Sequence, residues 1–459
     1  MKLRVPHTYV LLFSLLLLAT AATYFIPAGV YDRVQKEGRQ VVDPGSYHRV
    51  AARPAGFGDV FMAFPTGLLE VAPIVFYIFI VGGAFGVIAG TGAIDAGIHA
   101  IIRIAGKYEK AIVPGLTLLF AIGGGTFGMA EETLPFLPAL VLLSRSLGYD
   151  SIVGGAIALA GANAGFSAAF LNPFTVGVAQ GIAGLPLFSG FAFRLVVWLV
   201  MSLITVAFIT RYAERVKRAP ASSPAYRLDQ QRPALTNAEV SSSLSRRQAF
   251  AMLLFMLSFI VLVVGTMKWD WGLAELSGLF FALAVFAGPA GGLSVNETAE
   301  KFIAGAAALA GGALVVGLAR AILVVLSHAQ VIDTIMFALA SLVKELPASI
   351  SVLGIYLIQV ALNFLIASGS GQAALSIPIM APLSDLLGIT RQTMVLAYQF
   401  GDGFTNVFTP TQGYFMAGLA LIGLPWHIWA RWLLPLLGWW LAAGLVALLI
   451  AHAISFGPF

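Results

Sequence analysis

Residues 161–186 read GANAGFSAAFLNPFTVGVAQGIAGLP, and residues 401–425 read GDGFTNVFTPTQGYFMAGLALIGLP. Upstream of them, GMAEETLPFLPALVLLSRSLG (128–148) and SGSGQAALSIPIMAPLSDLLG (368–388) stand in the same relation. Pro138 and Pro378, Gly148 and Gly388, and Gly161 and Gly401 are each 240 positions apart, and Pro186 and Pro425 are 239 apart. The match extends to AIDAGI (93–98) and VIDTIM (331–336) at a spacing of 238. Chance likeness between apolar segments would not hold glycine, proline and polar residues in step, so the chain is a duplicated unit.

Composition says where that unit resides. Of 459 residues, 59% are hydrophobic and only 10% charged, with a mean hydropathy of +0.91. Soluble domains carry about a quarter charged residues, so lipid must cover much of this surface. Several apolar runs approach the roughly 20 residues a spanning helix needs, and the ten-residue alternation of a membrane barrel is missing. The expected class is an all-α polytopic membrane protein. Without cysteine there is no disulfide, thiolate metal site or thiol catalysis. The six histidines show no metal-ligand spacing, no GxxxxGK[ST] loop is present, and no nucleophile–base pair stands out. An enzyme is therefore not expected. The net charge of +5 gathers at helix ends and in one loop, which fits topology rather than nucleic acid.

The N-terminus MKLRVPHTYVLLFSLLLLATAATYF has signal-peptide features, but a retained first span is preferred in so apolar a chain. Segment 1–60 then comprises that span (8–27) and a polar loop (28–60). A first repeat covers 61–210, with a span near 68–92, a re-entrant hairpin at 111–147, an interrupted span at 150–186 and a span at 188–210. Segment 211–247 holds eight Lys/Arg against Glu214, Asp229 and Glu239 and reads as a flexible cytoplasmic linker. The loop at 28–60 gives a mixed orientation signal, because it also carries Arg33, Lys36, Arg39, Arg49 and Arg53. Scaffold spans follow in 248–301 (248–268 and 273–289). The second repeat, 302–459, has a span at 303–327, a hairpin at 350–387, a broken span at 389–425 and a last span at 428–452. With the hairpins re-entrant, five crossings separate the two units, which places them in inverted topology.

Both units carry two features that are costly inside a bilayer. The hairpin tips, GGGTFGMAEET (123–133) and ASGSGQAA (367–374), need backbone that protein or a water-filled cavity must satisfy. The helix following each tip offers free N–H groups and a positive dipole end, suited to a carboxylate. The spans broken at Gly161-Ala162-Asn163 through Asn172-Pro173, and at Gly401-Asp402-Gly403 through Thr409-Pro410, open carbonyls beside Asn and Thr side chains. Packing kinks alone would explain one such break, but not two in register with two tips. Candidate substrate ligands are Thr126, Gly128, Glu131, Glu132, Asn163, Asn172, Ser368, Ser370, Gln372, Asp402, Asn406 and Thr409. Candidate Na⁺ ligands are Asn163, Thr405 and Asn406.

Acids inside membrane segments default to pathway or binding roles. Glu131 and Glu132 stand at the first tip, where Gln372 replaces Glu132 in the second unit, and Asp402 stands where the first unit has Ala162. One glutamate is expected to cap the following helix and the other to face a ligand. Arg320 could meet a substrate carboxylate or pair internally with Glu70. Asp95 and Asp333, at equivalent repeat positions, are expected to serve helix ends.

These motifs resemble the YfcC family within the C4-dicarboxylate carrier group of the ion-transporter superfamily. The likeness is carried by RVPHTYVLLF, IPAGVYDR, VGGAFGVIAGTGAIDAGI, GMAEETLPF, GYDSIVGGAI, LNPFTVGVAQGIAG, GLARAILVV, SGSGQAALSIPIMAPL and FGDGFTNVFTPT. It covers nearly the whole chain, the central linker least specifically. It implies an elevator-type transporter, usually a homodimer in the bacterial inner membrane, with scaffold and mobile regions. It also implies substrate at hairpin tips and broken helices, which here means Ser368, Ser370, Asn163, Asn172, Asp402 and Asn406. The group is named for dicarboxylates, yet related members look like antiporters of arginine and ornithine. The acids at 131, 132 and 402 favour an amino acid, basic ones first, moved by exchange or by coupling to Na⁺ or H⁺. A C4-dicarboxylate or other organic anion is the alternative, and a passive channel is disfavoured by paired tips. No cofactor is expected.

Overall fold

The computed structural model describes residues 8–36, 39–93, 109–232, 245–269, 271–345 and 348–457. Asp95 with most of AIDAGI, Glu37, and the linker stretch with Glu239 lie outside the described residues. The chain is mostly helical. Among the described residues, five helices are long and apolar enough to cross a membrane: Ala72–Gly90, Lys110–Phe127, Phe191–Arg218, Leu273–Ala290 and Trp426–Ala453. A sixth span is possible if the pair Val295–Ala308 and Ala313–His328, bent by 41°, is counted as one.

Helix lengths repeat as the sequence does. Helices α2 (Phe57–Glu70) and α3 (Ala72–Gly90) meet at Val71, and α12 (Val295–Ala308) and α13 (Ala310–His328) meet at Leu309, 238 positions later. The 14- and 19-residue lengths recur in the same order. Helix α2 packs on α13, and α3 on α12, so the two bent pairs embrace each other. The last helix of each unit, α8 (Phe191–Arg218) and α19 (Trp426–Ala453), has 28 residues. The N-terminal helix α1 (Thr8–Ala22) lies on α13, with Leu12 and Leu16 fully buried and Tyr9 donating to the Gly311 carbonyl at 2.6 Å.

Between these pairs lie the tips and breaks. Helix α4 (Glu109–Phe127) and α5 (Phe136–Ser146) flank the first tip, and α15 (Ala348–Leu365) and α16 (Gly369–Leu386) the second. Helix α6 (Ser151–Ser167) stops before Asn172-Pro173. There a π-helical turn, Pro173–Gly177, leads into α7 (Val178–Ala183). Helix α17 (Arg391–Phe404) stops before Thr409-Pro410 and resumes as α18 (Gly413–Leu421).

Three details differ from the sequence reading. The breaks begin later than Gly161-Ala162-Asn163 and Gly401-Asp402-Gly403, which are all helical. The glycines serve close approach instead: a Cβ on Gly165 would sit 1.9 Å from the Ala121 carbonyl oxygen, so α6 presses directly on α4. Second, the chain is not purely α. The polar loop folds into two antiparallel ribbons, β1 (Gly29–Val30) with β4 (His48–Arg49) and β2 (Arg33–Lys36) with β3 (Arg39–Val42). Third, the first part of the basic linker is built into the fold. Helix α8 continues to Arg218, and Ser223 and Tyr212 both donate to Asp150 Oδ2, the N-cap carboxylate of α6. The Asp229 carboxylate accepts from the Ser151 amide at 2.8 Å. Asp229 thereby satisfies one of the unpaired amides at the start of α6, and with the bonds to Asp150 it holds 211–232 against that helix.

Candidate functional site

A cavity of ≈ 530 Å³ opens where both tips and both breaks meet. From the first tip come Gly128, Glu131 and Glu132; from the second, Ser368, Gly369 and Ser370; from the breaks, Thr175, Asn406, Gln412 and Tyr414. Trp271, ahead of α11 (Leu273–Ala290), closes one side.

The first tip turns at Gly128, whose φ of +74 is left-handed. A Cβ there would also lie 2.6 Å from Asn172 Oδ1, so only glycine fits on both counts. Asn172 in turn caps the π-helical turn, its Oδ1 accepting from the amides of Phe174 (2.9 Å) and Thr175 (3.3 Å). Tip and break are thereby one unit. Glu132 accepts from the Ala130 amide at 2.9 Å and steadies its own 3₁₀ turn, Glu131–Thr133. The Glu131 carboxylate makes no hydrogen bond or ion pair to another residue among those described, and it lines the cavity. Both acids line the cavity, and they differ in that Glu132 is also tied to the Ala130 amide.

The second tip ends in the N-cap Ser368, whose hydroxyl accepts from the Gly371 amide. Helix α16 starts in the cavity wall, and its first amides, Gly369 and Ser370, have no acceptor within the helix. Gly369 is squeezed between the two breaks: a Cβ on it would lie 2.7 Å from Thr175 Cγ2 and 3.1 Å from Asp402 Oδ2. Tyr398 donates to the Gly369 carbonyl at 2.6 Å. Asp402 is fully buried behind this tip with no hydrogen bond to either carboxylate oxygen.

Of the twelve candidate ligands, six line the cavity: Gly128, Glu131, Glu132, Ser368, Ser370 and Asn406. Asn172 and Asp402 stand directly behind it. The other four are engaged elsewhere. Thr126 donates to the Ile122 carbonyl of its own helix, and Asn163 Nδ2 reaches Ser167 Oγ. Gln372 joins the hairpin arms through the carbonyl and side chain of Gln359, and Thr409 pairs with Thr411. At the candidate Na⁺ ligands, Asn363 Nδ2 donates to Thr405 Oγ1 (2.7 Å) and Asn406 Oδ1 (2.8 Å), and Gln412 Nε2 also donates to Asn406 Oδ1. Amide donors hold the oxygens of Thr405 and Asn406, whereas the buried Asn163 Oδ1 accepts no hydrogen bond. Arg320 pairs with Glu70 at 2.6 Å, and Asp333 accepts from Arg33 and the Tyr31 amide.

Sequence reasoning passed over Thr175, Gln412, Tyr414 and Trp271 in the cavity wall, and Asn363 behind it. Gln412 and Thr175 lie within the quoted repeat and were legible as polar residues beside the prolines. Trp271 and Asn363 lie outside it and gave no signal. Arg194 was also missed: fully buried in α8, it reaches Gln392 Oε1 at 3.5 Å but does not line the cavity.

The profile described as "DcuC: C4-dicarboxylate anaerobic carrier" matches residues 5–453. The chain belongs to this carrier family. It is 34% identical to a protein of Escherichia coli (strain K12) named "Putative basic amino acid antiporter YfcC", over 94% of this chain and 93% of that one. A Haemophilus influenzae protein named "Uncharacterized protein" is 30% identical over 97% of this chain and 96% of its own length. Among solved structures, the Alcanivorax borkumensis YdaH transporter aligns over 98% of this chain and 99% of its own, with a TM-score of 0.43 at 18% identity. As a member of the carrier family with several candidate spans, the chain is a multi-pass membrane transporter.

Proposed function

We propose that this carrier moves amino acids bearing a second positive charge, by exchange or with proton coupling. The observation that carries the reading is the charge of the cavity: two glutamates and, among its lining residues, no lysine, arginine or histidine. A dicarboxylate would bring two negative charges to that wall. Each like-charge pair at ~4 Å costs about 4 kcal/mol at an effective dielectric of about 20, too much for the polar groups present to offset. A basic amino acid fits both ends. Its carboxylate suits the free amides at the start of α16, and its ammonium or guanidinium suits Glu131 with Tyr414 and Trp271 nearby. The name of the Escherichia coli relative supports this reading over the family's dicarboxylate name.

The matched helix lengths and spacings support two inverted repeats, and the cavity between tips supports alternating access by an elevator movement. A homodimer in the bacterial inner membrane accords with both. Proton coupling or plain exchange is preferred to Na⁺, because amide donors occupy two of the three candidate Na⁺ oxygens, those of Thr405 and Asn406. The test is counterflow in proteoliposomes of the full chain. Internal arginine or ornithine should drive uptake of labelled arginine, with succinate inert and Na⁺ without effect. Succinate uptake in the absence of any response to arginine, ornithine or lysine would sink the proposal.

A further inference from the structure

Far from the cavity, α8 and α19 run side by side and leave a groove between them. At its upper end, a hollow of ≈ 780 Å³ is lined by Arg211 and Arg215 from α8 and Arg431 from α19. No carboxylate pairs with these three arginines among the described residues. Arg211 and Arg215 are one turn apart and so share a face. Trp432, only 6% exposed, lines the same hollow, and its buried Nε1–H donates to no protein acceptor. Below the arginines the wall turns apolar with Ile204, Phe208, Pro435 and Trp439.

The apolar stretch does not end there. A second hollow of ≈ 520 Å³ begins at Ile204 and Trp439, which both hollows share, and continues along α8 to Phe193 and along α19 to Ile450. Its lining is wholly apolar side chains and glycine-free. From Arg211 to Ile204 is seven residues, about 10 Å along a helix rising ~1.5 Å per residue. That is the scale separating a headgroup from the middle of its acyl chains in one leaflet of a hydrocarbon core ~30 Å thick. Arg211 and Arg215 lie where α8 enters the basic linker, at the end of the helix expected to face the cytoplasm, and Arg431 lies in the second turn of α19.

The geometry points to a binding site for one anionic phospholipid, its phosphodiester held by Arg211, Arg215 and Arg431 with the indole N–H of Trp432, its acyl chains lying along the α8–α19 groove. Charge complementarity selects the occupant. A zwitterionic lipid brings a compensating ammonium that three unpaired guanidinium groups would repel. A soluble phosphate would leave the apolar floor unfilled. A second copy of this chain would have to bring acceptors for three arginines, because the lining of the hollow holds no carboxylate.

Native mass spectrometry of the full chain in detergent, titrated with phosphatidylglycerol, cardiolipin or phosphatidylcholine, tests this. Phosphatidylglycerol or cardiolipin should bind at one site and survive activation, whereas phosphatidylcholine should not. Each basic residue near a membrane surface contributes enough for about a fivefold effect. Arg431→Gln should therefore weaken binding about fivefold, and the triple variant Arg211→Gln/Arg215→Gln/Arg431→Gln on the order of a hundredfold. An unchanged thermal melting profile would show that the variants are folded. Trp439→Ala, which leaves the charges intact, should also loosen the lipid by removing the wall its chains lie on. Equal binding of phosphatidylcholine, competition by glycerol phosphate without acyl chains, or undiminished anionic lipid on folded Arg431→Gln would each overturn the assignment.

Discussion

The side-chain amide of Asn363 donates to the main-chain oxygen of Asp402 at 2.7 Å, tying the outer arm of the second hairpin to the end of α17. The same nitrogen reaches Thr405 Oγ1 and Asn406 Oδ1. One buried amide thus gathers the residues at which the second broken span begins to unwind. Replacing it with leucine keeps the size and removes the donor. A buried acceptor left unsatisfied costs about 1–3 kcal/mol; the two N–H groups are shared among three acceptors, of which Asn406 Oδ1 keeps its bond from Gln412. Asn363→Leu should lower the thermal midpoint in detergent by several degrees and abolish exchange. A variant that melts and transports as the parent does would show that Asn363 organises nothing.

Gly128 and Asn172 make a second such joint, between the first tip and the first break. Gly128→Ala meets two penalties, a left-handed backbone at roughly 1–2 kcal/mol and a clash with the Asn172 side chain. The double variant Gly128→Ala/Asn172→Ala relieves the clash but loses the cap, itself about 1 kcal/mol. The expected result is a coupling between the two substitutions, with the double variant more stable than the sum of single effects. Strict additivity in chemical unfolding would separate the two residues.

How much of this could be read beforehand varies by element. The duplication was legible because Gly, Pro and polar residues stay in step, and the helix lengths repeat at the same spacing. The tips were legible because small and polar residues cannot sit at membrane depth without purpose. Where the breaks begin was not. A glycine in a helix reads as a weak point, yet Gly161, Gly165 and Gly403 answer to neighbouring backbone that is distant in sequence. The cavity's far wall was also hidden, since nothing local to Trp271 or Asn363 says what they will face. The ribbons at 29–49 read only as polar loop, because strands of two to four residues carry no usable alternation.

Those ribbons supply a further prediction. Arg33 forms two hydrogen bonds to the Asp333 carboxylate, at 2.9 and 3.0 Å, and the Tyr31 amide adds a third at 2.9 Å. Tyr47 stacks on Phe337 with ring centroids 4.1 Å apart. The loop is thereby fastened to α14 (Ile332–Lys344), although the Arg33 side chain is 40% exposed, which limits the ion pair alone to about 1 kcal/mol or less. Asp333→Ala removes all three hydrogen bonds and should expose the loop to trypsin many times faster than in the parent. Arg33→Gln should accelerate cleavage only slightly. Equal rates for parent and Asp333→Ala would show that the loop is held instead by its aromatic contacts and by the bonds of Gly29 to Gln330 and Tyr47 to Thr334.

The division of labour between Glu131 and Glu132 gives the sharpest prediction for transport. Both line the cavity, but Glu132 is tied to the Ala130 amide, whereas the Glu131 carboxylate makes no hydrogen bond to another described residue. Glutamine is nearly the size of glutamate but carries no charge. Glu131→Gln should therefore weaken arginine binding by the worth of a desolvated ion pair with hydrogen bonding. Hydrogen bonds to charged groups are worth about 1.5–3 kcal/mol, which corresponds to roughly a 10- to 150-fold rise in KM. Stability should barely change. Glu132→Gln keeps a side-chain oxygen able to accept from Ala130, so KM should change by only a few fold, and Glu132→Leu should instead destabilise the tip by about 1 kcal/mol. Neutral amino acids discriminate further. If Glu131 meets the substrate's second positive charge, Glu131→Gln should narrow the preference for arginine over a neutral amino acid, whereas a structural role would lower transport of both alike.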